Sequence, residues 1–356
     1  MNRLNWLAGL IALLIFPALA LAQSEQFMVS DFSAAGVSVF DPNNSNSLTA
    51  LLHTGSGAAS VAVSPDGRFA YVANTNSNYL SIMDLTIRAE IWRAPLPFGS
   101  RSVAILPDGS RLVVPGFNGS LTVVNTSDFS TQSVSTVGQL CNDSLVCDSP
   151  QDVNSPTAVG VGSKFYINYR AANIAVRLSV LDVSGGTPVL SSIPGTANGK
   201  AGSARSTIAA TSNGQYVVAI RNGNIALVVD TTTNSLVSTF TATHCTTGAI
   251  SISHNAASPV AYISGTDTGA GTTTCVEADS VVANGVLTFV NSGALPFIPP
   301  AGGLSGFSSA ISVNDSKLYV AVRGTKFGCT AAAHRWSRQN CRSASRAIDT
   351  NGKRMR

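Results

Sequence analysis

The chain has 356 residues, of which 44% are hydrophobic and only 11% are charged, with a formal net charge of +4. This composition excludes a coiled coil and a highly charged disordered chain, and the abundance of β-branched residues predicts an all-β protein. The excess positive charge lies in residues 324–356, which leaves residues 23–323 mildly acidic. A nucleic-acid partner is therefore not expected.

Residues 1–22 have the features of a signal peptide. Arg3 gives a positive start, an apolar run follows, and the sequence Ala20-Leu21-Ala22 precedes Gln23. This order predicts cleavage before Gln23 and export to the periplasm or the extracellular space. The alternative is an uncleaved N-terminal anchor. No later stretch is long and apolar enough to suggest a transmembrane span.

A four-strand pattern recurs along the rest of the chain. Residues 26–56 fit the second, third and fourth strands of such a unit without its first strand. The segment "SVAVSPDGRFAYVANTNSNYLSIMDL" then shows a strand, a turn at Asp66, a second strand, and a third strand ending in Asp84. The next unit has its turn at Asp108, and four more follow. Asp-Gly and Asn-Gly favour such turns because Gly accepts positive φ.

One such unit cannot bury both of its faces, so neighbouring units must stack. Four short strands per repeat favour a β-propeller over a sandwich. Adding the partial first unit to the six later ones predicts seven blades of four antiparallel strands. We assign the propeller domain to residues 23–323.

The repeat also resembles a known family. Tyr71-Val72-Ala73-Asn74 stands where the YVTN-type β-propeller repeat has Tyr-Val-Thr-Asn, while Pro65-Asp66-Gly67 and Asp84 match its turn and the end of its third strand. The matching positions in other units are Asp108, Gly109 and Asp230. The resemblance extends over about residues 25–323, with "LVVP" as a departure at 112–115. It implies a seven-bladed propeller of the lactonase-like, WD40-like kind, and carries no information about chemistry.

The end of the chain leaves the last blade and the closure of the ring open. Residues 324–356 form a basic, cysteine-containing tail in which strand alternation fails. "SRAIDTNG" fits a third strand, because Asp349 falls where Asp230 falls in its unit. The tail is thus either a truncated or altered last blade, or a disulfide-tied loop followed by a disordered end.

Six cysteines in an exported chain predict disulfides. They fall into near pairs, which suggest a pairing without determining it, and free thiols or a metal site are the alternatives. No CxxC spacing is present. The predicted disulfide cysteines are Cys141, Cys147, Cys245, Cys275, Cys329 and Cys341.

The search for chemistry finds no catalytic, cofactor-binding or metal-binding residue to name. Most acids are accounted for by turns and strand ends, and each of the four histidines fits a surface or loop position. The loop acids Asp143, Asp148, Asp152 and Asp267 are the ones that could bind a cation. Residues 265–275, a polar insertion between two strands, form a candidate binding loop.

Three functions are compatible with these features. The first is an exported scaffold without catalysis of its own, which binds a protein, a glycan or a small molecule. The second, suggested by the family resemblance, is a lactonase-like hydrolase. The third is a haem- or quinone-type redox propeller. We expect the first, with no cofactor, and leave enzymatic activity open.

Overall fold

The computed structural model describes residues 25–31, 35–45, 47–116, 120–134, 153–171, 178–196, 207–221, 225–267, 274–282, 284–294, 304–312, 314–324 and 344–349. Within these ranges the regular structure is entirely β, without an α-helix. The strands form seven antiparallel sheets, and strands that follow one another in sequence are neighbours in the sheet. The predicted all-β propeller fold is confirmed.

The first three sheets contain eleven strands. Their bounds are β1 (Phe27–Asp31), β2 (Gly36–Asp41) and β3 (Ser47–His53); β4 (Ala58–Val63), β5 (Phe69–Asn74), β6 (Tyr79–Asp84) and β7 (Ala89–Pro95); and β8 (Ala104–Ile105), β9 (Arg111–Pro115), β10 (Leu121–Asn125) and β11 (Thr131–Val134).

The fourth to seventh sheets contain the remaining fifteen strands. Their bounds are β12 (Val153–Val161), β13 (Lys164–Ala171), β14 (Ser179–Asp182) and β15 (Val189–Ser192); β16 (Thr207–Ala210), β17 (Tyr216–Arg221), β18 (Ile225–Asp230) and β19 (Ser235–Thr241); β20 (Cys245–Ile252), β21 (Val260–Asp267), β22 (Thr274–Val281) and β23 (Leu287–Ala294); and β24 (Leu304–Ile311), β25 (Lys317–Gly324) and β26 (Ala344–Asp349).

The core lies between the sheets, in six apolar clusters that each join one sheet to the next. We call each such contact a joint and name it by its two sheets. Among the described residues, the last and first sheets meet where Phe27 of β1 stacks on Tyr319 of β25, with ring centroids 4.4 Å apart. Phe40 stacks on the other side of Phe27. A seventh joint between the last and first sheets thus completes the ring.

Among the described residues, five sheets have the predicted four strands, and the first and seventh have three. The first sheet has three strands and lacks the innermost one, as residues 26–56 indicated. The seventh also has three, and its third is β26, which pairs with β25 so that Asp349 lies opposite Lys317. The segment "SRAIDTNG" in the basic tail therefore supplies a strand of the last sheet.

Four of the turns between first and second strands share one hydrogen-bonding pattern. In the second sheet, Ser64 Oγ donates to Asp66 and accepts the N–H of Phe69 at 2.8 Å. Thr211, Ser253 and Ser312 accept the corresponding N–H in three later sheets. Gly67 follows at φ 71°, a backbone conformation that Gly adopts without steric cost. A short hydroxyl side chain and an Asx residue thus fix each turn locally.

Candidate functional site

The repeat-signature residues are distributed around the ring and do not meet in one site. Asp66 accepts N–H and O–H bonds inside its own turn, and these bonds lower its pKa. Asp84 and Asp230 each accept the N–H two residues further on, which forms the turn into the fourth strand. Tyr71 is buried in the second–third joint. Their contacts explain the fold rather than a reaction.

A different pair of acids occupies the interior of the sixth sheet. Residues on β22 alternate between the two faces, and Cys275 and Val281 lie on the face that packs against the fifth sheet. Glu277 and Asp279 occupy the two positions between them on that same face. Both are completely buried. Two carboxylates therefore lie inside the fifth–sixth joint, beside its apolar cluster.

Glu277 is held by the connection between β19 and β20. Its Oε1 accepts the N–H of Thr243 at 3.1 Å. Its Oε2 accepts the N–H groups of His244 at 2.8 Å and Cys245 at 3.1 Å. Charge-assisted bonds of this kind stabilise a buried carboxylate. Both oxygens of the Glu277 side chain thus have backbone partners within the joint.

Asp279 lacks such compensation. Neither of its carboxyl oxygens has a hydrogen-bond partner among the described residues. Its cross-strand neighbours are Ala261 on β21 and Phe289 on β23. Burial, with a smaller contribution from the charge of Glu277, raises the pKa of Asp279 to about 7. Asp279 can therefore gain or lose a proton near neutral pH.

His244 covers the pair at the rim of the joint. Its Nδ1 lies 4.0 Å from Oε2 of Glu277 and 2.8 Å from Oγ1 of Thr243. Its ring stacks on Phe289, with centroids 4.5 Å apart. The imidazole is about half exposed while Glu277 is not. This histidine therefore lies between the buried acids and solvent.

A disulfide joins Cys245 to Cys275 next to these residues. It connects the start of β20 to β22 across the β21 strand and holds the residues that donate to Glu277. Sequence pairing suggested this bond. The other four cysteines predicted to form disulfides, Cys141, Cys147, Cys329 and Cys341, lie outside the described residues.

Only one of the four predicted cation ligands lies among the described residues. Asp143, Asp148 and Asp152 lie outside the described residues, and Asp267 ends β21 opposite Cys245. In the part of the chain that is described, no three His, Cys, Asp or Glu side chains form a group able to hold a metal ion. No helix in that part could cross a membrane.

An exposed apolar patch lies at the outer edge of the same joint. Val282 and Val286 flank the turn between β22 and β23, and Phe289 and Val290 follow on β23. Val237 of β19 lies against Gly285 in that turn. These five side chains, which we call the rim patch, are between 42% and 57% exposed. Contiguous exposed apolar surface is a common feature of binding sites.

Sequence analysis missed both Asp279 and the rim patch. The signal that could have identified Glu277 and Asp279 is the alternation in "TCVEADSV". In an ordinary sheet that alternation indicates one wet face. In a propeller, neighbouring sheets cover both faces of a sheet. Acids at alternate positions of a third strand such as β22 are therefore expected to be buried.

Comparisons with known proteins support the fold and leave the family open. No family model matches this chain, and no curated protein matches it. Among solved structures it is similar to a functionally unknown protein from Desulfotomaculum acetoxidans DSM 771, with a TM-score of 0.62 and 16% identity over 84% of this chain and 92% of that one.

Two further structures are similar at the level of the fold. U3-55K matches with a TM-score of 0.60 and 10% identity over 91% of each chain. The dihydro-heme d1 dehydrogenase NirN, solved in complex with DHE, matches with a TM-score of 0.53 and 12% identity over 94% of this chain and 72% of its own. Identities this low show the fold alone.

Proposed function

We propose that this chain is an exported β-propeller that binds a protein partner through the rim patch. The observation that carries the proposal is the exposure of Val237, Val282, Val286, Phe289 and Val290 at the outer edge of one joint. Branched aliphatic side chains offer no hydrogen bonds to a glycan, whereas they match the apolar centre of a protein interface. Export is supported by the disulfide Cys245–Cys275.

The YVTN-type identity of the repeat is part of this proposal. It is supported by a register position that recurs in four sheets. Tyr71, Tyr166, Tyr262 and Tyr319 each lie two residues after the start of the pairing between second and third strands. Tyr216, which looks similar in sequence, pairs directly with Asp230 and so lies two positions earlier.

The test uses site-specific photo-crosslinking in cells that export the protein. A crosslinking residue at position 286 is compared with one at Val189, a more exposed valine on the outer strand of the fourth sheet. The proposal expects a defined protein adduct from position 286 only. The purified partner should then bind the mature chain, and Val286→Ser with Val290→Ser should weaken that binding at least tenfold.

The competing functions make different predictions for the same purified protein. A lactonase-like hydrolase would hydrolyse lactones, and a chelator would show whether a metal takes part. A haem- or quinone-type redox propeller would show a coloured cofactor in its absorption spectrum. Lactone turnover, or a stoichiometric cofactor, together with equal crosslinking from positions 286 and 189, would overturn the scaffold proposal.

A further inference from the structure

The fifth–sixth joint contains one acid whose negative charge would not be compensated. Glu277 receives three backbone N–H bonds, whereas both oxygens of the completely buried Asp279 are without partners among the described residues. The two side chains are inward neighbours on one strand, so their charges repel each other at short range. Ionising both at once is therefore unfavourable, and Asp279 is the one without hydrogen bonds to support its charge.

The elements packed against Asp279 offer few charged groups that could compensate its negative charge. Glu277 lies on its own strand, and His244 lies on the β19–β20 connection, closer to Glu277. From the fifth sheet, the titratable side chain in the joint is Tyr216, whose hydroxyl accepts a bond from Gln215. The facing strand β23 contains no ionisable residue, and Asp267 lies at the far end of β21.

We propose that Asp279 makes the fifth–sixth joint proton-sensitive: the two sheets pack fully when its carboxyl group is protonated, and the joint loosens when the proton leaves to water, because the buried carboxylate has no hydrogen-bond donor among the described residues. The pKa of about 7 for Asp279 agrees with the burial of its carboxyl group in the joint. The proton-linked joint lies directly beneath the rim patch, since Phe289 is the cross-strand neighbour of Asp279 and stacks on His244. The inference concerns the chain alone and does not depend on a partner.

The sign of the effect follows from linkage. The pKa of Asp279 is about 7 in the folded chain and 3.8 as a free side chain. Between these values the folded state binds a proton that the unfolded state lacks, so stability decreases as pH rises, and it levels off above about pH 7. The folding equilibrium constant should therefore fall about a hundredfold between pH 5 and pH 8 from this residue alone.

The experiment measures urea unfolding of the mature, disulfide-bonded protein at pH 5 and pH 8. Asp279→Asn, which is neutral at both values, should remove most of the hundredfold change. Asp128→Asn is the matched control, because Asp128 is exposed and its carboxylate bonds only within its own turn. Its lowered pKa places its titration below this pH window, so that variant should behave as the wild type.

A second measurement keeps the inference testable if Asp279→Asn does not fold. Infrared spectra of the wild-type protein should show the carbonyl stretch of a protonated buried carboxyl group at pH 5 and its loss above pH 8. Absence of this band at pH 5 would overturn the inference. So would a stoichiometric metal ion that purifies with the wild type, since a cation would then compensate the pair. An unchanged pH dependence in a folded Asp279→Asn variant would overturn it as well.

Discussion

The second–third joint and the fifth–sixth joint have the same place in the repeat and different chemistry. In the first, Tyr71, Leu80, Ile82 and Leu112 are almost completely buried, and the cluster contains no acid. In the second, the register of the third strand places Glu277 where the third sheet has Thr122, and Asp279 where it has Val124. Hydrophobic burial is insensitive to pH in ordinary buffers, whereas a buried carboxyl group is not.

Within one ring, the packing of sheets and the pH dependence of that packing can therefore belong to different joints. An apolar joint holds two sheets together under all conditions in which the chain is folded. A joint with an uncompensated acid has a stability that depends on the proton concentration. Local opening is expected to begin at the weaker joint, because regions of a fold differ in their opening free energy. The following predictions test this contrast.

The largest effect is expected from truncation in the apolar joint. Leu80 is completely buried between the second and third sheets. Leu80→Ala should destabilise the protein by about 2–5 kcal/mol, because it removes buried methyl groups and leaves a cavity. The loss should be equal at pH 5 and pH 8. Denaturant unfolding measures both, and Leu51→Ala, at an exposed leucine, serves as the matched control.

If Leu80→Ala and Leu51→Ala cost the same, the second–third joint would not contribute the packing described here. A loss that differed between pH 5 and pH 8 would mean that the pH response is a property of the whole ring. Either result would remove the contrast between the two joints.

How far sequence predicts this molecule depends on whether a feature is local. The turn at Asp66 and the strand end at Asp84 could be predicted, because their hydrogen bonds are made within a few residues. The closure of the ring by Phe27 and Tyr319 could not, since the two rings come from opposite ends of the chain. Asp279 was also missed, because alternation in "TCVEADSV" indicates burial only when it is combined with the fifth sheet packed on that face of β22.

An intermediate effect is expected at Glu277. Glu277→Gln keeps the size of the side chain but replaces one acceptor oxygen by an NH₂ group, which cannot accept the N–H bonds from the β19–β20 connection. We expect a loss of about 1–3 kcal/mol for these unsatisfied buried groups. Removing the charge also lowers the pKa of Asp279 towards its ordinary value, although burial still raises it.

A double-mutant cycle with Glu277→Gln and Asp279→Asn measures the interaction directly. The two side chains should be coupled at pH 8, above the pKa of about 7 of Asp279, and the coupling should shrink at pH 5. Strictly additive unfolding free energies at pH 8 would show that the acids do not interact.

The smallest effect is expected at the sixth–seventh joint, where a surface contact joins two turns. Asp315 accepts the N–H groups of His254 and Asn255 and contacts Nδ1 of His254 at 2.9 Å. Burial raises the pKa of Asp315, but these hydrogen bonds and the charge of His254 outweigh it and leave the pKa below 3.8. The stability contributed by the Asp315 contact is thus fully present above pH 3.8, and it is lost as the pH falls through the lowered pKa of Asp315.

Asp315→Asn should cost only about 0.5–1 kcal/mol at neutral pH, because both side chains of the pair are partly exposed and solvent screens their charges. Hydrogen exchange gives the sharper measurement, since the His254 and Asn255 amides lose their acceptor and should exchange faster. Amides of the fifth–sixth joint should be unaffected in this variant, whereas Asp279→Asn should slow their exchange at pH 8. Acceleration at both joints in Asp315→Asn would show that the sheets open together, and the separation of packing from regulation would then fail.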